Sequence, residues 1–512
     1  MNINESNNSK RVLIIGSGIA GLLTARVLSE QYEEICIIER DTQPQQPAPR
    51  AGVPQSFHLH QFIPRGEAIV QRLFPDFVND IKELGAFELQ QATIQMFNPF
   101  GALPLGNGEG FTYSRGLLEW AIRQRVQALP NVRILYQHEV IELMATPDRT
   151  RVIGAYIRPR GQVEQRIEVQ ADLVIDTSGR SSRTPRWLSD LGYTLAEDEY
   201  VTTGIGYSTR NYRIPPEKRN IALVVIDPHA SSGHLSGGVL KAIEDDTWAV
   251  CLNSAGDQYP PTDARGFEEG LARLYNPILA EILHDAEPLT EPRGFRLPVC
   301  LRHHYEQMKR WPAGLLVLGD ALCFFDPIYG QGMTLAAIEV ETLATCLQEH
   351  KGQPNFEHYV LQRMQDAIAP AWWRSTIEDL RWPGVTHIGP EPLKGVTLLH
   401  KYFDLCLRIS TQQLNSLAQE GKFEPQYMSY FLMNWLFISP RDVVNPRMLE
   451  MYLQHVSPAE KEAILADLRE GYNQDLETLL DEAVPPFAFD FGSAAEGENP
   501  ETMQQEKTTT LL

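Results

Sequence analysis

Six residues near the amino end, Gly16-Ser17-Gly18-Ile19-Ala20-Gly21, form the first pattern with a chemical use. They follow the apolar run Val12–Ile15 and open a stretch of helical periodicity, and Glu39 closes the next apolar run 18 residues after Gly21. In this context each glycine has a task. Gly16 makes the tight turn, Gly18 lets the N–H groups around Ile19 and Ala20 approach a pyrophosphate, and Gly21 lets helix and strand pack closely. Glu39 is placed to accept hydrogen bonds from ribose hydroxyls. The pattern predicts dinucleotide binding and does not separate FAD from NAD. No Ser-His-Asp ordering and no metal-ligand cluster stands out.

A second pattern lies 300 residues on. The apolar run Leu315–Leu318 leads into Gly319-Asp320-Ala321, then Asp326-Pro327-Ile328-Tyr329-Gly330-Gln331-Gly332-Met333, then helical periodicity over Thr334–Thr345. A carboxylate ending a buried strand can bind ribityl hydroxyls. A glycine-rich turn at a helix start can aim N–H groups and the positive dipole end at an electron-rich ring edge. Reduced flavin carries negative charge at such an edge. With Asp320, Pro327, Gly330, Gly332 and Met333 in these places, the chain resembles the FAD-dependent monooxygenases of the para-hydroxybenzoate hydroxylase fold, whose "GD…P..GQGM" signature it matches.

Further segments extend the resemblance. "ADLVIDTSGRSSRTP", from Ala171, is similar to the family's "GADGxxSxxR", with Ser178 where the family has Asp; Gly179 and Ser182 match. The family uses this segment for flavin and nicotinamide contacts. Arg115 stands where the family places an arginine reaching FAD, and Val140 where it holds the adenine by backbone groups. Arg40, after Glu39, either lies on the adenine or is solvated. "RAGVPQSFHLHQF", from Arg50, and "LFISPRDVVNPRMLEMYL", from Leu436, resemble a subgroup that includes polyene epoxidases of polyether pathways and other secondary-metabolism flavin oxidoreductases. His58 and His60 are the candidate catalytic residues. At a helix start, residues at i and i+2 do not share a face, so at most one of the two points into a site and either can instead be structural.

These residues need positioning elements. Val12–Ile15, a helix to about Tyr32 and Ile35–Ile38 read as strand, helix, strand; Gln43–Pro54, with four prolines, reads as a loop. Helical periodicity covers Arg65–Leu84 and Arg115–Leu129. Period-two alternation from Tyr193 to Leu297, with a helical insertion at Gly266–Ala286, predicts a largely antiparallel sheet. From Phe356 to Leu480 the pattern is helical. The expected fold class is therefore α/β: a Rossmann-like FAD-binding domain (10–85, 110–192, 298–350), an inserted antiparallel-sheet substrate domain (86–109, 193–297) and a helical C-terminal region (351–490). Residues 1–9 and 491–512 read as disordered ends.

Composition narrows the partners. Of 512 residues, 43% are hydrophobic and 22% charged, an ordinary globular balance. A formal charge of −21 disfavours nucleic acid and a polybasic membrane anchor. Six scattered cysteines without C-x-x-C read as free thiols in a reducing compartment, and the first apolar run is neither a signal peptide nor a membrane span; a cytoplasmic location is expected. The resemblance implies FAD as cofactor, with NADPH or NADH as a transient reductant or a partner flavin reductase instead, since no second G-x-G-x-x-G occurs. It implies that a flavin hydroperoxide passes one oxygen of dioxygen to an apolar small molecule, by hydroxylation or epoxidation. The alternatives are an FAD-dependent reductase or dehydrogenase of an isoprenoid-like substrate and a flavin halogenase, the latter without the W-x-W-x-I-P form. Trp372, Trp373, Trp382, Phe403 and the run Met428–Ile438 are open to substrate-lining or core roles.

Overall fold

The computed structural model describes residues 10–90, 92–104, 110–420, 422–489 and 491. The ends read as disordered therefore lie outside the described residues, Phe491 excepted. The chain divides into two compact units. The first takes the chain up to Leu84, Ser114–Tyr200 and Cys300–Ile368; the second takes Gly85–Tyr113, Val201–Val299 and the chain from Ala369 onward.

The first unit is built on a five-stranded sheet, in the order Leu315–Val317, Leu173–Asp176, Arg11–Ile15, Glu34–Ile38, Val132–Leu135, with every pairing parallel. These strands are nearly continuous Val, Ile and Leu, as expected of a parallel sheet covered on both faces. Register matters more than strand count. Ile15 pairs with Ile38 and Asp176, and Asp176 with Val317. The residues that follow, Gly16, Glu39, Thr177 and Leu318, thus emerge along one carboxyl edge, where open α/β sheets bind ligands. A separate antiparallel sheet, His138–Ala145, Val152–Pro159 and Ile167–Gln170, carries Val140 on its edge strand opposite Ile157.

Helices follow the sequence pattern with local breaks. The first runs Ile19–Leu28 and stops at Ser29, short of Tyr32. The periodicity over 65–84 resolves into two helices, Pro64–Leu73 and Phe77–Glu83, because Pro75 cannot continue the first. The insertion at 266–286 likewise splits into Ala264–Ala272 and Ile278–Leu283 around Pro277.

In the second unit an eight-stranded sheet has one parallel pair, Ile221–Ile226 with Thr93–Asn98, and is otherwise antiparallel. Alternate residues, including Tyr212, Leu240, Ala242, Trp248 and Val250, pack with Phe267, Leu271 and Leu279 of the two insertion helices. The C-terminal helices Phe356–Asp379 and Val396–Gln419 are the longest. Leu103 of the sheet joins the helical core of Leu399, Tyr402, Phe403 and Phe431, and Asn98 donates to Thr411 Oγ1 at 3.0 Å. The sheet and the helical chain from Ala369 onward therefore share one unit. Most of Met428–Ile438 is buried in that same core. Among the described residues no helix is long and apolar enough to cross a membrane.

Candidate functional site

The glycine turn sits between the first strand and its helix. Gly16 has φ +98°, a conformation that favours glycine, and its N–H donates to the Ile38 carbonyl at 2.9 Å. Gly18 caps the helix, and the first intrahelical bond is Leu22 N–H to Gly18 O. The amides of Ile19, Ala20 and Gly21 belong to the first turn, which has no intrahelical acceptors.

Behind this turn lies a buried ion network. Arg115, Glu119 and Arg123 stand at i, i+4 and i+8 on the helix Arg115–Gln127, whose Ser114 caps Leu117 N–H at 3.1 Å. Glu119 binds Arg115 at 2.9 Å, Arg123 at 2.6 Å and Arg50 at 2.5 Å. Arg123 donates to Ser17 O at 2.7 Å and Ser17 Oγ at 2.8 Å, fixing the turn from below. Burial works to raise the Glu119 pKa, but Arg115, Arg50 and Arg123 prevail and hold it at about 2. Glu39, buried, accepts from the Ser17 and Asp41 amides at 3.0 and 2.9 Å and pairs with Arg50 at 3.2 Å. Against the effect of burial, Arg50 and these hydrogen bonds keep its carboxyl below the ordinary value. Arg40 is exposed and donates to the Gly52 carbonyl at 3.0 Å.

The second motif emerges from the strand Leu315–Val317. Gly319 has φ +63°; a short turn Gly319–Ala321 follows, then a turn Pro327–Tyr329 capped by Asp326 and closed by Gly330 at φ +66°. Gly332 opens the helix Gly332–His350, with Met333 beside it in the first turn. Burial raises the Asp320 pKa, while the positive charges of Arg180 and Arg115 lower it, which ties Asp320 electrostatically to the Arg115 helix. The segment with Ser178 is organised by Asp176, which accepts from Ser178 N–H at 2.8 Å, Ser182 Oγ at 2.6 Å and Thr184 Oγ1 at 2.6 Å. Ser178 Cα lies 3.2 Å from where a Gly16 Cβ would stand, so this segment abuts the glycine turn.

Whether these residues suit FAD is answered by their own geometry. A Cβ built on Gly18 or Gly332 meets no atom within 4 Å, so protein keeps clear of both turns. Arg115 Nη1 and Ser178 Oγ are buried without a hydrogen-bond partner among the described residues. Asp320 is half-buried, and no described residue makes a hydrogen bond or ion pair to its carboxylate. Orphaned polar groups of this kind are costly unless a ligand satisfies them. Donors on one motif and a free carboxylate on the other match a pyrophosphate and a chain of hydroxyls. The residues fit the cofactor.

Val140 lies on the antiparallel strand His138–Ala145, whose first residue donates its N–H to the Glu39 carbonyl at 3.0 Å, so this candidate's strand adjoins the glycine-turn site. Not every sequence candidate joins this arrangement. His58 and His60 lie in an extended segment, since the helix begins only at Pro64; the helix-start argument about their facing does not apply. His60 Nδ1 is 3.0 Å from the His58 carbonyl oxygen. Sequence reasoning also missed residues. Glu119 and Arg123 were findable, because charges at i, i+4 and i+8 from Arg115 on a helix face signal a buried network, whereas Arg50 comes from the proline loop. In the second unit, Lys241 is 3% exposed and donates to the Tyr113 carbonyl at 2.8 Å, and burial lowers its pKa to about 7. Nothing local marks it beyond one lysine in an apolar strand. Trp373 packs edge-on to Phe403 at 6.3 Å, in the helical core.

A parallel sheet with a dinucleotide turn and an unpaired carboxylate on the same edge defines a flavin-binding Rossmann-like oxidoreductase. Comparison with known proteins agrees: residues 9–355 match the model of the FAD binding domain family, and the chain belongs to that family of flavin monooxygenases of the para-hydroxybenzoate hydroxylase type. It is an FAD-dependent oxidoreductase. Protein Rv3254 of Mycobacterium tuberculosis is 31% identical over 76% of this chain and 83% of its own. Squalene monooxygenase of Mus musculus is 23% identical over 66% of this chain and 54% of its own. The structure of flavin-dependent brominase Bmp2 superposes with a TM-score of 0.55 at 16% identity, covering 83% of this chain and 93% of that one; at such identity the likeness shows the fold alone.

Proposed function

We propose that this protein is a monooxygenase that uses FAD, and electrons from NADPH or NADH, to place one atom of dioxygen in an apolar small molecule by hydroxylation or epoxidation. The observation that carries the reading is the Asp320 carboxylate, unpaired among the described residues, on the same sheet edge as the open glycine turn. When bound, FAD supplies the redox chemistry, taking electrons from a nicotinamide and passing them to dioxygen. The chain's own part is binding and orientation. Amides of the Ile19–Gly21 turn meet the pyrophosphate, Glu39 the ribose, Asp320 the ribityl hydroxyls, and Arg115 Nη1 an acceptor on the cofactor. The Gly330–Gly332 turn and the helix behind it set positive dipole at the ring edge.

No side chain is given an acid or base role, and oxygen transfer to an alkene removes no substrate proton. The relatives named as monooxygenases support the reaction type, and squalene monooxygenase supports an apolar substrate. One dinucleotide turn and Ser178 in the third signature leave no dedicated nicotinamide site to name; the resemblance to single-component hydroxylases and epoxidases supports NADPH as a transient reductant, and delivery of electrons by a partner reductase is the other outcome of the test. The test is to release and identify the bound cofactor, then follow NADPH and NADH oxidation with lipophilic polyenes and aromatics. FAD, with oxidation stimulated by one of these compounds and dependent on dioxygen, is expected. A colourless protein that binds NAD would overturn the proposal, and conversion of substrate without dioxygen would make it a reductase.

A further inference from the structure

Glu339 is a buried acid with no place in the account so far. It lies on the helix Gly332–His350, is 1% exposed, and its Oε2 accepts the Gly319 N–H at 2.6 Å. That amide immediately precedes Asp320. Gly319 itself is confined: its φ is +63°, and an added Cβ would come within 2.9 Å of Ala20 on the first helix. The turn is therefore held between Ala20 and Glu339, with the Asp320 carboxylate at its tip. We propose that Glu339 is a positioning residue for FAD: its carboxyl holds the Gly319 amide and so sets where Asp320 meets the cofactor. This rests on the FAD reading above.

The surroundings favour the neutral form. Burial raises the Glu339 pKa; the Gly319 hydrogen bond lowers it and the Asp320 charge raises it further, to about 8. Cys323, on the segment after Asp320, is a thiol whose pKa burial raises, and Arg302 is the positive charge acting on it. Arg302 bonds Gln365 and pairs with Glu199, not Glu339. On the first helix Arg26 is engaged with the Leu73 carbonyl and Glu30. On the helix Pro64–Leu73, Arg72 pairs with Glu341 and Glu67 bonds Gln71, and Arg65 is the remaining charge. No described cation pairs with Glu339, so its ionisation places a second negative charge beside Asp320 without compensation.

The experiment is a titration of apoprotein with FAD across about pH 6.5 to 9.5, for wild type, Glu339→Gln and Glu339→Ala, with circular dichroism to check folding. Wild-type affinity should fall as pH rises above about 8, by up to about tenfold per pH unit, the limit for one linked proton. Glu339→Gln keeps an acceptor for the Gly319 amide but cannot ionise, so its affinity should stay level over that range. Glu339→Ala loses the acceptor and should bind about tenfold more weakly at pH 7. Melting of the apoprotein gives a readout without cofactor. The folded pKa lies above the ordinary 4.5, so Glu339 should make wild-type stability decline as pH rises from about 4.5 to about 8, and the decline in Glu339→Gln should be smaller by that share. A Glu339→Gln profile that keeps the wild-type slope, or Glu339→Ala affinity equal to wild type, overturns the inference. If Glu339→Ala does not fold, the Glu339→Gln profile decides. Wild type that binds no FAD at any pH overturns the FAD reading itself, and with it this one.

Discussion

At Gly18 an added Cβ meets nothing within 4 Å, whereas at Gly21 it lies 2.0 Å from the Gly16 carbonyl oxygen. The two glycines should therefore fail differently. Gly18→Val should abolish FAD binding and leave the circular dichroism of the fold intact, because the side chain fills only the approach to the pyrophosphate. Gly21→Ala should destabilise the protein by about 1–3 kcal/mol, read as a lowered melting temperature. Wild-type flavin content in Gly18→Val would mean that the turn binds nothing. Asp320→Ala should weaken FAD retention by about 1.5–3 kcal/mol, on the order of tenfold to a hundredfold in Kd, as the hydroxyls lose a charged partner. Both motifs were legible because turn, strand and acid have fixed sequence spacing. The engagement of Glu39 with Arg50 and Ser17 was not, since Arg50 reaches it from a proline loop whose path no periodicity records.

Among the elements, the helix Arg115–Gln127 does the most to hold the site, and it does so through Glu119. Three guanidinium groups share that carboxylate, so Glu119→Gln should cost about 3–5 kcal/mol. Acid gives an independent check. The folded pKa of about 2 lies below the ordinary 4.5, so the stabilisation is complete above about pH 4.5 and is lost as pH falls towards 2. The stability gap between wild type and Glu119→Gln, measured by denaturant unfolding, should thus narrow by about 2 kcal/mol between pH 7 and pH 3. A constant gap would place the cost elsewhere. Helix and strand types followed from periodicity, but breaks at Pro75 and Pro277 were read through, because flanking apolar residues kept the helical rhythm on both sides. The helix after His58 and His60 starts only at Pro64, which suits a first helical position, so neither histidine is on it.

For the whole molecule, the α/β class and the interleaving of a sheet region within the flavin-binding region were legible from strand patterns alone. The joining of the sheet and the helical chain from Ala369 onward into one unit was not. It depends on contacts such as Asn98 with Thr411, separated by 313 residues, and hydrophobic periodicity carries no information over that distance. A buried charge cluster in this unit is equally invisible in sequence. Glu378 pairs with Arg374 and Arg381 at 2.9 and 2.8 Å, and Arg381 with Asp404 at 2.9 Å. The central claim concerns what the protein does with dioxygen. Its most direct test is mass spectrometry of product formed under isotopically labelled dioxygen, with NADPH and a substrate from the polyene and aromatic screen. The account predicts a hydroxylated or epoxidised product carrying one labelled atom. Product formed without dioxygen, or labelled only from water, would contradict it.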